Sequence, residues 1–244
     1  MTLAATAIAS LTLAAPAHAQ NSFSPEQRNE IVEIVRNALK TDPSILSDAI
    51  SAIRAQAQGQ AQGKALAYVK QNQVAVQSAP AQMIRGNPAG TVTVVEYLDP
   101  RCPYCRRMTP VVKDLLAKDH DVRFVEKLIP ILGQGSTLET QAIMAAAQQN
   151  GYAKLRDALM SDSTPPTLDR IKSIAQAQGL NVDKLMADMH APETTSLIET
   201  NLKEARGIDL DGTPTFIFGT SGMAPGALTL DDLESEITHA RKAG

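Results

Sequence analysis

Cys102 and Cys105, the only two cysteines of the 244-residue chain, sit in the run Cys102-Pro103-Tyr104-Cys105, between a β-branched segment and a segment of helical periodicity. This placement requires a strand to hand over to a helix at the motif. The first thiol then lies at a helix N-terminus, where backbone N–H groups lack partners and the dipole carries partial positive charge. The second lies one turn inside, so the sulfurs face each other and can close a disulfide. Arg101, Arg106 and Arg107 add a cationic setting where they turn toward the sulfur. Such settings lower a thiol pKa from about 8.5 into the range of roughly 3.5 to 7.5. Cys102 is therefore the expected nucleophile, and the shielded Cys105 the expected resolving thiol.

Other uses of two close cysteines fit less well. A structural zinc site takes four ligands, yet the chain has no third Cys, and His120, His190 and His239 are scattered without metal spacing. No metal and no cofactor is expected. A purely structural disulfide stays open, although a loop this small removes little chain entropy when closed. Met108, Met144, Met160, Met186 and Met189 raise a copper reading, because soft sulfur suits Cu(I), but methionines in helices are first expected as core packing. With 43% hydrophobic and 20% charged residues, the chain is globular and neither disordered nor collagenous. A net charge of -3, 3% aromatic residues and no Trp argue against a nucleic-acid partner.

The N-terminal residues read as an address. An uncharged Ala/Leu-rich run from Thr2 to Ala15 is followed by Pro16 and the small-x-small site Ala17-His18-Ala19. A signal peptide over 1–19, cleaved after Ala19, is expected, although no Lys or Arg precedes the run; the mature protein would be periplasmic. Residues 20–80 are expected to form a helical extension. Ser24-Pro25-Glu26-Gln27 has the form of a capping box, and Ile31, Ile34, Val35, Ala38 and Leu39 make one apolar stripe. After the second start signal at Asp42-Pro43, Ile45, Leu46, Ala49, Ile50 and Ile53 make another. Two such helices cannot bury both faces alone, so the extension is expected to dock on the main domain or, more sharply, to act as an oligomerisation arm. The tract from Ala55 to Gly63 either continues the helix or forms a hinge.

Residues 81–244 form the main domain. Val92 to Leu98 and Val122 to Ile129 are predicted strands with a helix between them, a βαβ unit. Helices follow over about 136–205, then a strand over Thr213 to Phe218, a turn-rich stretch and a last helix opened by Thr229. The fold class is α/β.

With its Cys-Pro-Tyr-Cys motif after a strand, a long helical insertion and Gly212-Thr213-Pro214-Thr215-Phe216 before the closing elements, the chain over about 85–243 resembles the DsbA-like branch of the thioredoxin superfamily. The resemblance implies a thioredoxin fold with an inserted helical domain. It implies that Pro214 is cis and faces the active disulfide, exposing the backbone of Thr213 to a substrate strand. It assigns redox tuning to Pro103 and Tyr104, and to Glu96 the role of a buried acid that relays protons to Cys105. The plainer reading of Glu96 is an ion pair at a strand edge. Phe23 to Gln27, Glu33-Ile34-Val35 and Asp42-Pro43 are similar to the N-terminal region of the ScsC (suppressor of copper sensitivity) family, which implies a homo-oligomeric thiol-disulfide isomerase linked to copper tolerance. Thr213 resembles the isomerase and reductase members, where oxidases carry Val. The expected function is thus a periplasmic thiol-disulfide oxidoreductase, an isomerase or reductase of exported cysteine-containing proteins, served by a membrane redox partner. A DsbA-type oxidase and a copper-binding protein using the same thiolates are the alternatives.

Overall fold

The computed structural model describes residues 23–243. The expected signal peptide over 1–19 lies outside them. The described residues divide into two compact units, one on each side of the step from Gln56 to Ala57.

In the first unit, α1 (Pro25–Thr41) starts at the expected capping box. The Gln27 amide donates to Ser24 Oγ at 3.3 Å, and the Ser24 amide donates to Gln27 Oε1 at 2.8 Å. Helix α1 buries no residue. The next helix, α2 (Ser44–Gln71), contains the division between the units and runs unbroken through the Gln/Ala/Gly tract. Gly59 and Gly63 each cost a helix about 1 kcal/mol, which the surrounding Ala and Gln residues outweigh. The tract is helical.

The second unit begins earlier than the boundary at 80 expected from sequence. Ala65 and Val69 of α2 and Val76 of α3 (Gln73–Gln77) are buried in the core of the main domain. Polarity around them masks this short stripe in the sequence. A Cβ on Gly207 would collide with the Tyr68 ring, so the glycine permits a close approach of α2.

A five-stranded sheet with order β1-β3-β2-β4-β5 centres the unit. Strands β2 (Val92–Leu98) and β3 (Val122–Leu128) are parallel and joined by α4 (Pro103–Lys118). β4 (Thr215–Phe218) runs antiparallel to β2. The edges are β1 (Ile84–Gly86) and β5 (Gly222–Pro225), both absent from the sequence reading, which took the latter as a turn. Between β3 and β4 lie α5 (Gln134–Ala146), α6 (Tyr152–Ser161), α7 (Leu168–Ala177), α8 (Val182–Asp188) and α9 (Pro192–Gly207), close to the expected insertion. α10 (Leu230–Ala243) closes the unit.

Strand alternation divides the core. Val92, Val94, Val122 and Phe124 pack with α4 and α10, whereas Val95, Tyr97 and Val125 pack with α2, α3 and α9. On the latter face Lys127 pairs with Glu204 at 2.9 Å and donates to the Ala75 carbonyl at 3.3 Å, tying α3 and α9 to the sheet. Leu98, Leu128 and both cysteines join the core of the helical insertion. Among the described residues, no helix is long and apolar enough to cross a membrane.

Candidate active site

Strand β2 ends at Leu98, and Asp99-Pro100-Arg101 turns the chain so that Cys102 becomes the N-cap residue of α4 and Pro103 its first helical residue. The turn is set by Asp99, which is fully buried. Its carboxylate accepts from the Arg101 amide at 2.7 Å, the Ile131 and Leu132 amides at 2.8 and 3.1 Å, and Ser136 Oγ at 2.7 Å. One side chain thereby joins the loop before α4 to the loop after β3. The sequence reading ended its strand at Leu98 and missed this role.

Cys102 is 5% exposed and Cys105 is fully buried one turn further on. Both are thiols. Cys102 Sγ donates to the Thr213 carbonyl at 3.1 Å, and the Thr213–Pro214 bond is cis. The loop is pinned by Thr215 Oγ1 on the Gly212 carbonyl at 2.7 Å and by the Gly226 amide on the Pro214 carbonyl at 2.8 Å. Burial pushes the Cys105 thiol far above its ordinary value and Glu96 adds to this, while the backbone of Asp99 and the side chain of Thr213 oppose it.

Glu96 is buried at the centre of β2, and neither carboxyl oxygen has a hydrogen-bond partner among the described residues. Burial, and then the neighbouring Glu126, push it up to about 8, against Arg156 and Arg85. The ion pair considered for Glu96 belongs instead to Glu126, which binds Arg156 at 2.8 Å and Arg85 at 3.0 Å. Glu126 escaped the sequence reading, although alternation in Val122–Leu128 places it on the same buried face as Phe124.

The three arginines are engaged away from the sulfur. Arg101 Nη1 reaches Glu139 Oε1 at 3.2 Å and the Thr164 carbonyl at 3.1 Å. Arg106 donates to the carbonyls of Pro100 and Asp162 at 2.8 and 2.7 Å. Arg107 lies 4.4 Å from the centre of the Tyr104 ring, which is half exposed beside the motif. Arg101 and Arg106 thus clamp the motif to the helical insertion through Glu139, whose carboxyl burial raises to about 7. Met108, Met144, Met160 and Met189 are buried in the cores. Among the described residues, no group of three His, Cys, Asp or Glu is placed to hold a metal.

The arrangement suits sulfur exchange. The outer sulfur sits at the helix start against a backbone carbonyl, and the inner one is buried near an unpaired acid.

The thioredoxin family model matches residues 78–238. A thioredoxin-like oxidoreductase from Silicibacter pomeroyi DSS-3 is 37% identical, with a TM-score of 0.68 over 71% of this chain and 99% of that one. Proteus mirabilis ScsC in a transitional conformation is 23% identical with a TM-score of 0.66, over 91% of this chain and 99% of that one, a likeness of fold. A stretch of 135 residues is 28% identical to the Na(+)/H(+) antiporter NhaA 3 of Salinispora tropica, 54% of this chain and 21% of that protein. The chain thus spans about a fifth of the length of such curated relatives. With the family match over most of the chain and the dithiol placed at the strand-to-helix turn, this chain belongs to the thioredoxin family.

Proposed function

We propose that the protein is a periplasmic thiol-disulfide oxidoreductase that reshuffles or reduces disulfides of exported proteins, with Cys102 as nucleophile and Cys105 as resolving thiol. The observation that carries this reading is the contact of Cys102 Sγ with the Thr213 carbonyl across the cis Thr213–Pro214 loop. The Cys102 thiolate attacks a substrate disulfide, one substrate sulfur leaves as thiolate, and a mixed disulfide forms. A substrate thiol then displaces Cys102, completing isomerisation. Alternatively Cys105 displaces the substrate, its proton passes to Glu96, and the Cys102–Cys105 disulfide remains for a membrane redox partner to reduce. Thr213 and Pro214 meet the substrate backbone, and Pro103 and Tyr104 tune the pair.

The N-terminal arm serves this function by bringing copies together. Ile31, Ile34, Val35 and Leu39 of α1, with Ile45, Leu46, Ile50 and Ile53 of α2, are all between 39% and 66% exposed. Fully burying one such side chain contributes about 1.5–3 kcal/mol, so a second copy laid on this face is strongly favoured. An assembly of copies surrounds a misfolded substrate with several Cys102 thiols.

Reactivation of wrongly bridged ribonuclease by the reduced protein tests the direction. Recovery that is lost in Cys102→Ser supports isomerisation. No recovery, with fast oxidation of reduced ribonuclease by the disulfide form, replaces it with an oxidase.

A further inference from the structure

A second concentration of buried charge lies behind the thiols. Glu96 and Glu126 are partners in the parallel β2–β3 register, so both carboxyls point to the same face of the sheet. Two carboxylates so placed oppose each other's ionisation, yet their surroundings differ. Glu126 Oε1 accepts from Arg156 at 2.8 Å and Arg85 at 3.0 Å, and its Oε2 from the Tyr152 hydroxyl at 3.1 Å. Glu96, 1% exposed, has no such partner among the described residues. Arg156 is also 1% exposed; it further contacts Asp157 at 2.8 Å, and its Nε has no partner among the described residues. The inserted helical domain therefore delivers a guanidinium into the sheet, and one of the two carboxylates takes it.

We propose that Glu126 is a positioning residue for the thiol chemistry: by holding both Arg156 and Arg85 it leaves Glu96 a protonated, unpaired acid that exchanges its proton with Cys105. The proposal rests on the reading of Glu96 as the acid that serves Cys105. When a substrate thiolate attacks Cys102 Sγ in the disulfide form, the Cys102–Cys105 bond breaks and its electron pair goes to Cys105. The Glu96 proton then moves to that sulfur. In the reverse direction the Glu96 carboxylate takes the Cys105 proton, the intramolecular S–S bond forms, and the substrate leaves as thiolate. Were Arg156 released by Glu126, it would pair with Glu96 and hold it ionised, removing the proton donor. The groups that bear on Glu96 are Cys105 on α4, Glu126 on β3, Arg85 on β1 and Arg156 on α6, while Tyr152 of α6 bonds to Glu126. Phe216, its partner on β4, brings no charge.

The test follows disulfide opening in the full-length protein by a reduced cysteine peptide across neutral and alkaline pH. A ¹³C NMR titration of the Glu96 carboxyl accompanies it. Glu126→Gln is expected to lower the Glu96 midpoint by at least about one pH unit, because the repelling charge goes and Arg156 turns to Glu96. Arg85→Gln, whose side chain is 21% exposed, is expected to raise it. Opposite shifts support the proposal, since a merely structural role would not separate the two variants by sign. An unmoved midpoint in folded Glu126→Gln, or both variants shifting the same way, overturns it. If Glu126→Gln does not fold, the Arg85→Gln shift alone decides, upward in support and unmoved or downward against. Glu96→Gln should abolish the pH step in the opening rate. A step that survives there strikes at the role of Glu96 itself and is told apart from a failure confined to Glu126.

Discussion

Cys102 Sγ and the Thr213 carbonyl oxygen lie 3.1 Å apart, although 111 positions separate them in the chain. The contact makes the start of α4 and the loop before β4 one working surface. It uses the backbone of Thr213, while the side chain of the same residue bears on Cys105. Thr213→Val is therefore expected to leave alkylation of Cys102 nearly unchanged and to slow resolution of the mixed disulfide about fivefold, the equivalent of roughly 1 kcal/mol for one hydrogen bond. Rapid-quench lifetimes of the mixed disulfide measure this. Equal slowing of both steps would contradict the division of labour.

Asp99 is expected to be among the most sensitive positions in the domain. Its carboxylate satisfies four donors, three in two loops and one at the start of α5. Asp99→Ala leaves the buried Ser136 hydroxyl and three part-buried N–H groups without this acceptor and should destabilise by about 1–3 kcal/mol. Urea unfolding measures the loss. Hydrogen exchange should show faster opening at the Ile131 and Leu132 amides than in the wild type; unchanged protection there would mean that the loop is held by other contacts.

Stability should depend on Glu96 with a definite sign. Its carboxyl is raised from 4.5 to about 8 in the folded protein, so the folded state keeps a proton that the unfolded chain releases. The contribution of the protonated group is fully present below 4.5 and is lost as the pH rises through 8. Glu96→Gln should match wild type in acid and exceed it above that window by on the order of 1–3 kcal/mol. Paired urea curves on either side of the window provide the check, and a variant less stable at alkaline pH than in acid relative to wild type would refute it.

The division of the chain at Gln56 gives a truncation test. Removal of residues 20–56 should leave a folded monomer. Extending the cut through Gln77 removes the fully buried Val69 and Val76 and should cost several kcal/mol, at roughly 2–5 for each large core side chain lost. Light scattering and thermal unfolding read the two outcomes. An unchanged assembly mass for the shorter cut would remove the arm from the oligomer.

Much of the fold was legible because its signals are local. Val92 to Leu98 is β-branched and bounded by Pro-containing turns, and the capping box at Ser24 announces α1. Strands β1 and β5 were not legible: three or four residues containing Gly or Pro pair only because β3 and β4 offer open edges. At the site, the Cys102–Cys105 spacing and the Thr213–Pro214 step carry their meaning in single dipeptides and tetrapeptides. The partners of Glu126 do not, since Arg85, Tyr152 and Arg156 reach it from three separate elements and only the register brings them together. Arg101 and Arg106 misled for the same reason. Their neighbours in sequence are the thiols, but their partners in space are Glu139 and the carbonyls that follow α6.

The most direct measurement of the central claim is mass spectrometry of Cys105→Ser incubated with a disulfide-bonded substrate peptide, beside Cys102→Ser. The account predicts a long-lived mixed disulfide on Cys102 in the first variant and no adduct in the second, because Cys105 is fully buried one turn inside α4. Adducts on Cys105 formed as fast as those on Cys102, or none on either, would contradict it.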